Sequence, residues 1–269
     1  MPPVKIAPLN VVVLAAGKGT RMYSRLPKVL HALGGKPLLA HVLDRARALH
    51  AERTIVIYGH GGNAVAAGFA DPALKFVLQA PQLGTGHAVR SAEKHLRASA
   101  THIMVLYGDH PLIDTKTIHA IADAHLEGGD PLTMATALVD DFDDWREGFY
   151  DFGRIVRDKD GKLTRIVERK DATKAELSIT EVNPSYFCFE EDWLWKNLNR
   201  LTNTNAQGEY YLTSLPEMAQ RQGQGITTVS IDPITALGAN TPEQLALLER
   251  MLAKRRPASV IKQKTMANK

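Results

Sequence analysis

The run Leu9 to Ala15, apolar apart from Asn10, leads straight into Ala16-Gly17-Lys18-Gly19-Thr20-Arg21-Met22. A short apolar run without polar alternation, ended by a glycine turn, reads as a strand buried on both faces of a parallel sheet. Such a strand needs helices above and below it, which commits the chain to an α/β layered architecture. Glycine lets the backbone approach an anion without a Cβ in the way, and the N–H groups of the turn, with the start of a following helix, form an anion-binding concavity. Lys18, Arg21 and Lys28, the last in Leu26-Pro27-Lys28, can neutralise several phosphate oxygens together. The pattern lacks the third glycine of a dinucleotide fingerprint, and its lysine lies between the glycines instead of after them as in a P-loop. An ordinary strand-to-helix turn with solvated lysines competes with the triphosphate reading, but it leaves Arg21 and Pro27-Lys28 as coincidences.

Alternation continues downstream. Apolar spacing predicts a helix from about Pro37 to Leu49, a strand over Thr54 to Tyr58, a helix near Ala64 to Phe69 and a strand near Lys75 to Leu78. A helix from about Gly86 to Leu96 and the strand Ile103 to Tyr107 follow. The expectation is a doubly wound, Rossmann-like, mostly parallel sheet with ligands at the carboxyl ends of its strands. After Pro111 the texture changes: Leu132 to Val139 and Ser178 to Phe189 read as strands, and Asp151 to Glu168 as a hairpin around Asp158-Lys159-Asp160-Gly161. One domain over about 1–256 is expected, with a nucleotide-binding lobe to about 112, a smaller second lobe over 113–240 closing over the first, and a helix over 241–256 capped by Thr241 with Pro242 at its first position. Residues 257–269 form a basic tail, read as a solvated terminus, with docking to a partner as the alternative.

Composition narrows the function classes. The chain has 269 residues, 44% of them hydrophobic, enough for a substantial core. Its charge of +4 owes much to Lys254-Arg255-Arg256, Lys262, Lys264 and Lys269, so no nucleic-acid partner is expected. A single cysteine, Cys188, excludes an intramolecular disulfide and a thiolate metal cluster. The start Met1-Pro2-Pro3-Val4-Lys5 has no secretory apolar segment and no run reaches membrane-spanning length, so a soluble, cytoplasmic protein is expected.

Two further constellations carry chemistry. Gln79-Ala80-Pro81-Gln82-Leu83-Gly84-Thr85-Gly86-His87-Ala88 follows a strand end on the same edge as the first glycine turn. Gln79 offers an acceptor and a donor that complement a uracil or thymine edge, and Gly84 permits close backbone approach. A helix-capping turn is the equal alternative from these residues alone. Tyr107-Gly108-Asp109 closes a strand, so Asp109 projects from a carboxyl edge, either as a hard oxygen ligand for Mg²⁺ or as a cap for the next helix.

Leu14 to Met22 with Pro27-Lys28 resembles the signature of the sugar-1-phosphate nucleotidylyltransferase family. Gln79 to Ala88 resembles its uridylyltransferase branch, in particular the N-acetylglucosamine-1-phosphate uridylyltransferase domain of the bacterial bifunctional enzyme. Phe152-Gly153-Arg154-Ile155, Ile166 to Ala172 and Asn203 to Tyr211 resemble further family segments. The resemblance implies a nucleotide site built from Leu14, Ala15, Ala16, Gly17, Gly19, Gln79, Gly84 and Thr85, catalytic cations at Lys18, Arg21 and Lys28, and sugar contacts from Tyr107, Gly153, Glu168 and Asn183. It places Mg²⁺ on Asp109 and Asn240, the latter in Gly238-Ala239-Asn240. His110 stands where an apolar residue is expected. Asn183-Pro184-Ser185 departs from the Asn-Thr-Gly of close relatives, which leaves the sugar less defined than the nucleotide and predicts a relaxed preference over glucose 1-phosphate. The implied reaction joins UTP and N-acetylglucosamine 1-phosphate. Rivals are another nucleotide, or another sugar, polyol or cofactor phosphate, on the same turn, and a non-catalytic nucleotide sensor. The bifunctional relatives continue into hexapeptide repeats; none follows Arg256 in this sequence, so acetyl transfer is not expected of it.

Overall fold

A computed structural model describes residues 8–59, 61–97 and 99–255. The basic tail 257–269, the Pro257 stop and the first residues lie outside them. Strand β1 (Leu9–Ala15) is buried along its whole length. Val11 and Val13 face one core with Leu38, Leu39 and Val42, while Val12 and Leu14 face another with Val89 and Leu194. A strand that feeds two cores can be apolar on both faces, which is why the run shows no alternation. Each of these side chains contributes about 1.5–3 kcal/mol by leaving water.

β1 pairs in parallel with β2 (Arg53–Tyr58), which pairs with β3 (Leu74–Leu78), and on its other side with β4 (His102–Tyr107). The later strands are β5 (Leu132–Leu138), β6 (Gly153–Arg157), β7 (Leu163–Val167), β8 (Glu181–Asn183), β9 (Phe187–Glu190) and β10 (Thr227–Ser230). They extend the sheet in the order β3-β2-β1-β4-β9-β5-β8-β6-β7, with β10 parallel to β5. β9 lies antiparallel between β4 and β5, so β5 and β10 regain the direction of β1 to β4 and the central sheet is mostly parallel, as expected.

The predicted strand over Ser178 to Phe189 is interrupted. Val182 faces Ala137 and Phe187 faces Met134, so the returning chain carries two residues more than β5 over that interval. Both halves bond the same edge of β5: Ala135 N–H donates to Tyr186 O and Val139 N–H to Thr180 O. The extra residues form a bulge at Pro184-Ser185, where proline has no N–H to give a ladder. The predicted helix over Gly86 to Leu96 splits into Thr85–Arg90 and Glu93–Leu96, with the Ser91 hydroxyl donating to the His87 carbonyl at 2.9 Å, a local bond that competes with helix continuation.

One long helix escapes the sequence reading, Thr115–Gly128, although its signals are present. Asp114 caps it by accepting from Thr117 N–H at 2.8 Å, and Ile118, Ile121, Ala122 and His125 form its buried stripe. The final helix, Pro242–Arg255, begins as predicted, with Gln244 N–H donating to Thr241 Oγ1 at 3.2 Å.

Candidate active site

The carboxyl ends of β1 and β4 and the loops after β3 open onto one cleft of about 520 Å³. Leu14, Ala15, Ala16, Gly17, Lys18, Arg21 and Lys28 line one side, with Gln79, Gly84 and Thr85 beside them. Tyr107, Asp109 and Asn240 lie at the base, and Gly153, Glu168 and Asn183 face them from the later strands. Gly19 is the exception. It does not line the cleft; at φ 61° its missing Cβ would stand 2.8 Å from Lys28 Cβ, so it shapes the turn around that lysine.

Lys28 decides the geometry of the base. Its Nζ donates to Asp109 Oδ2 at 2.5 Å and to Asn240 Oδ1 at 2.7 Å. Burial would raise the Asp109 carboxyl, but the Lys28 ammonium and His110 beside it bring it below its ordinary value. The loop carrying Asn240 is tied to the same strand end, with Ala239 N–H donating to Asp109 O at 3.2 Å and Asn240 N–H to Gln244 Oε1 at 2.7 Å. The two oxygens expected to hold Mg²⁺ thus converge on one cation, and an ammonium stands at that point. Two oxygen donors suit Mg²⁺, which is commonly held by one or two carboxylates with substrate phosphates completing its shell. Among the described residues no group of three or more His, Cys, Asp or Glu side chains can hold a metal by itself.

The nucleotide side is held by backbone contacts between loops. Gln82 Nε2 donates to the Ala16 carbonyl, joining the first glycine turn to the 79–88 loop. Gln79 is buried and donates from Nε2 to Gly84 O at 2.9 Å, which fixes how its amide lies. Gly84, at φ 105°, cannot be replaced freely: a Cβ there would stand 2.7 Å from Tyr210 O. Tyr210 bonds that loop twice, donating to Leu83 O and accepting from Gly86 N–H, both at 2.8 Å. The segment Gln207 to Tyr211 is therefore a packing element, and it also brings Gln207, Glu209 and Tyr211 to the cleft wall.

On the opposite wall, Glu168 Oε1 accepts from Thr213 Oγ1 at 2.6 Å. Burial pushes this carboxyl up from its ordinary value, and the Thr213 contact opposes the rise. Burial also raises the Tyr107 phenol, and the side chains of Ser185 and Thr85 oppose the rise. His110 is buried, stacked between the rings of Tyr107 and Phe152 at centroid distances of 5.6 and 5.9 Å. Tyr186 donates its hydroxyl to Thr235 O and meets His110 Nδ1, both at 3.0 Å, so a polar ring is accommodated where an apolar residue was expected.

Asp151 gives no signal in the sequence as a cleft residue, and Ser185 none of the contact it makes. Asp151, at the end of a 3₁₀ stretch without periodicity, pairs with Arg21 at 2.8 Å and with Arg169 at 3.1 Å. Ser185 bonds Asn183, which only the bulge brings about. An adjoining cavity of about 350 Å³ reaches Asn240 from behind, but Trp145, Phe149, Leu248, Glu147 and Glu243 make it apolar and acidic, unsuited to a triphosphate.

Comparison with known proteins finds relatives of this chain in sequence and in fold. The MobA-like NTP transferase domain matches residues 11–263. The bifunctional protein GlmU of Chromobacterium violaceum is 44% identical over 245 residues, which cover 91% of this chain and 51% of the relative. Those of Paraburkholderia phytofirmans and Burkholderia mallei are 46% and 47% identical over 244 residues, 90% of this chain and 52% of theirs. The chain thus spans about half the length of these relatives. A crystal structure of UDP-glucose pyrophosphorylase complexed with UDP-glucose superposes with a TM-score of 0.73 at 15% identity, covering 93% of this chain and 100% of that one, a likeness of fold.

Proposed function

Because the chain belongs to the MobA-like NTP transferase family and is a nucleotidyltransferase, we propose that it transfers the uridylyl group of UTP to N-acetylglucosamine 1-phosphate, giving UDP-N-acetylglucosamine and pyrophosphate. The observation that carries this reading is a single cleft in which the cations of the glycine turn and the polar groups of the later strands face one another across Lys28, Asp109 and Asn240. A uridine nucleotide is favoured by the Gln79 amide, set at the cleft wall, and by the UDP-sugar held on the same fold in the pyrophosphorylase.

An oxygen of the sugar phosphate attacks the α-phosphorus of UTP in line as the bond from that phosphorus to the bridging β-phosphate oxygen breaks. The nucleophile is already anionic, so no proton has to be removed, and the protein's task is positioning and charge stabilisation. Lys28 reaches the transferring phosphate from the base of the cleft, Arg21 holds the leaving pyrophosphate, and Lys18 assists the triphosphate. Glu168 and Asn183 bind sugar hydroxyls, and Gly153, adjacent to Glu168, leaves room for the ring. Asp109 and Asn240 would hold Mg²⁺, which supplies charge neutralisation at the transferring group when bound.

Release of pyrophosphate from a panel of triphosphates against sugar 1-phosphates tests the proposal. UTP with N-acetylglucosamine 1-phosphate should give the highest kcat/KM. A different best pair would reassign nucleotide or sugar, and triphosphate binding without pyrophosphate release from any pair would make the protein a nucleotide sensor.

A further inference from the structure

Ser185 has φ 64°, in the left-handed region where glycine is at ease and serine is strained. A serine held there needs a compensating contact. Two contacts are present. Ser185 N–H donates to Asn183 Oδ1 at 2.9 Å, and Asn183 Nδ2 donates to Ser185 Oγ at 3.1 Å. A backbone N–H can only donate, so the first contact fixes which end of the Asn183 amide faces which way. Glycine would keep that contact and lose the other. Asn183 is only 2% exposed, and it, Ser185 and Tyr107 all line the cleft.

We infer that Ser185 is a specificity-determining residue of the sugar site: its hydroxyl engages one Asn183 N–H and narrows the cleft beside it, so the cleft discriminates weakly between 2-acetamido and 2-hydroxyl sugar 1-phosphates. This rests on the sugar-phosphate reading above. An acetamido group asks for more room than a hydroxyl and brings an amide whose donor and acceptor must be matched once water is stripped away. Ser185 takes space and one Asn183 donor from the wall that would supply them. A hydroxyl, smaller and able to donate and accept in many directions, loses less.

The test is the ratio of kcat/KM for N-acetylglucosamine 1-phosphate to that for glucose 1-phosphate, in the wild type, Ser185→Ala and Ser185→Gly. A ratio measured on one sample cancels any loss of folded protein, so a purely structural role leaves it unchanged. In both variants the ratio should rise by about 10-fold or more, the scale on which one small group in a pocket alters selectivity. Ser185→Ala keeps the Cβ and the backbone and removes only the hydroxyl, so a rise confined to Ser185→Gly would overturn the inference, as would no rise in either. Calorimetric Kd values for the two sugar phosphates separate this from the parent reading. An altered Kd ratio without uridylyl transfer sinks the choice of nucleotide and supports the role of Ser185; an unaltered Kd ratio sinks the role of Ser185, whatever the reaction.

Discussion

Replacing Lys28 by methionine should damage folding as well as activity, and the two effects can be separated. From the sequence, Lys28 is a phosphate ligand on a glycine turn whose loss would leave the fold little affected. The structure corrects that expectation, because the Lys28 and Asp109 side chains are 12% and 10% exposed and form an ion pair at 2.5 Å. Removing one partner of a buried pair typically costs about 3–5 kcal/mol, since the other charge is left desolvated and unmatched. The residual exposure puts Lys28→Met at the lower end, about 3 kcal/mol. Asp109→Asn should cost less, about 1 kcal/mol, because the ammonium keeps Asn240 Oδ1 at 2.7 Å. The double variant removes both charges and should recover about 2 kcal/mol relative to additivity. Urea unfolding of the four proteins at pH 7.5 measures the cycle. The Lys28→Met deficit should also shrink on acidification: without the ammonium, burial raises the Asp109 carboxyl above its unfolded value, the folded state binds more protons, and stability falls as pH rises through that window. Pyrophosphate release should behave differently, falling on the order of 10²-fold or more in each single variant and staying low in the double. A Lys28→Met protein within about 1 kcal/mol of wild type, or an additive cycle, would refute the argument.

Arg21→Ala should lose turnover on the order of 10²-fold while its urea midpoint scarcely moves, because Arg21 is an exposed partner in a surface ion pair; a near-normal rate with saturating UTP and Mg²⁺ would place the pyrophosphate elsewhere. Excess chelator should stop the wild type, and Asn240→Ala should raise the Mg²⁺ concentration needed for half-maximal rate; full activity in chelator would remove the metal from the proposal. His125, buried at the foot of the sheet, is pulled down to about 4 by burial and by the neighbouring His102. Its depressed value means the unfolded chain binds the proton first, so stability is fully present above about pH 6.5 and declines towards pH 4, by roughly 3 kcal/mol in all. Chemical unfolding of wild type and His125→Gln between pH 7.5 and 4.5 should show a flatter profile in the variant, and parallel profiles would exclude His125 as the source.

Much of the site was legible because its parts are local. β1 and the turn after it lie within a few residues of one another, so the apolar run and the glycines announce both the buried strand and the anion concavity. The Thr241-Pro242 start of the last helix is legible for the same reason. Asp109 could be placed at a strand end from Tyr107-Gly108-Asp109, but what it meets could not. Lys28 lies 81 residues from Asp109 and 212 from Asn240, and no spacing rule connects them. Only the order of strands, with β4 beside β1 and the Gly238–Asn240 loop folded back onto Asp109, brings one ammonium between those two oxygens. The Ser185 contact is decided in the same way. Proline and serine after Asn183 are visible as letters, yet the bulge exists because the returning chain must keep both β8 and β9 on one edge of β5 with two residues to spare. Sequence determined which chemistry was at hand, since that depends on residue type and near neighbours; tertiary structure decided which charges neutralise one another and which polar groups remain free, since that depends on contacts between segments that pairing alone brings together.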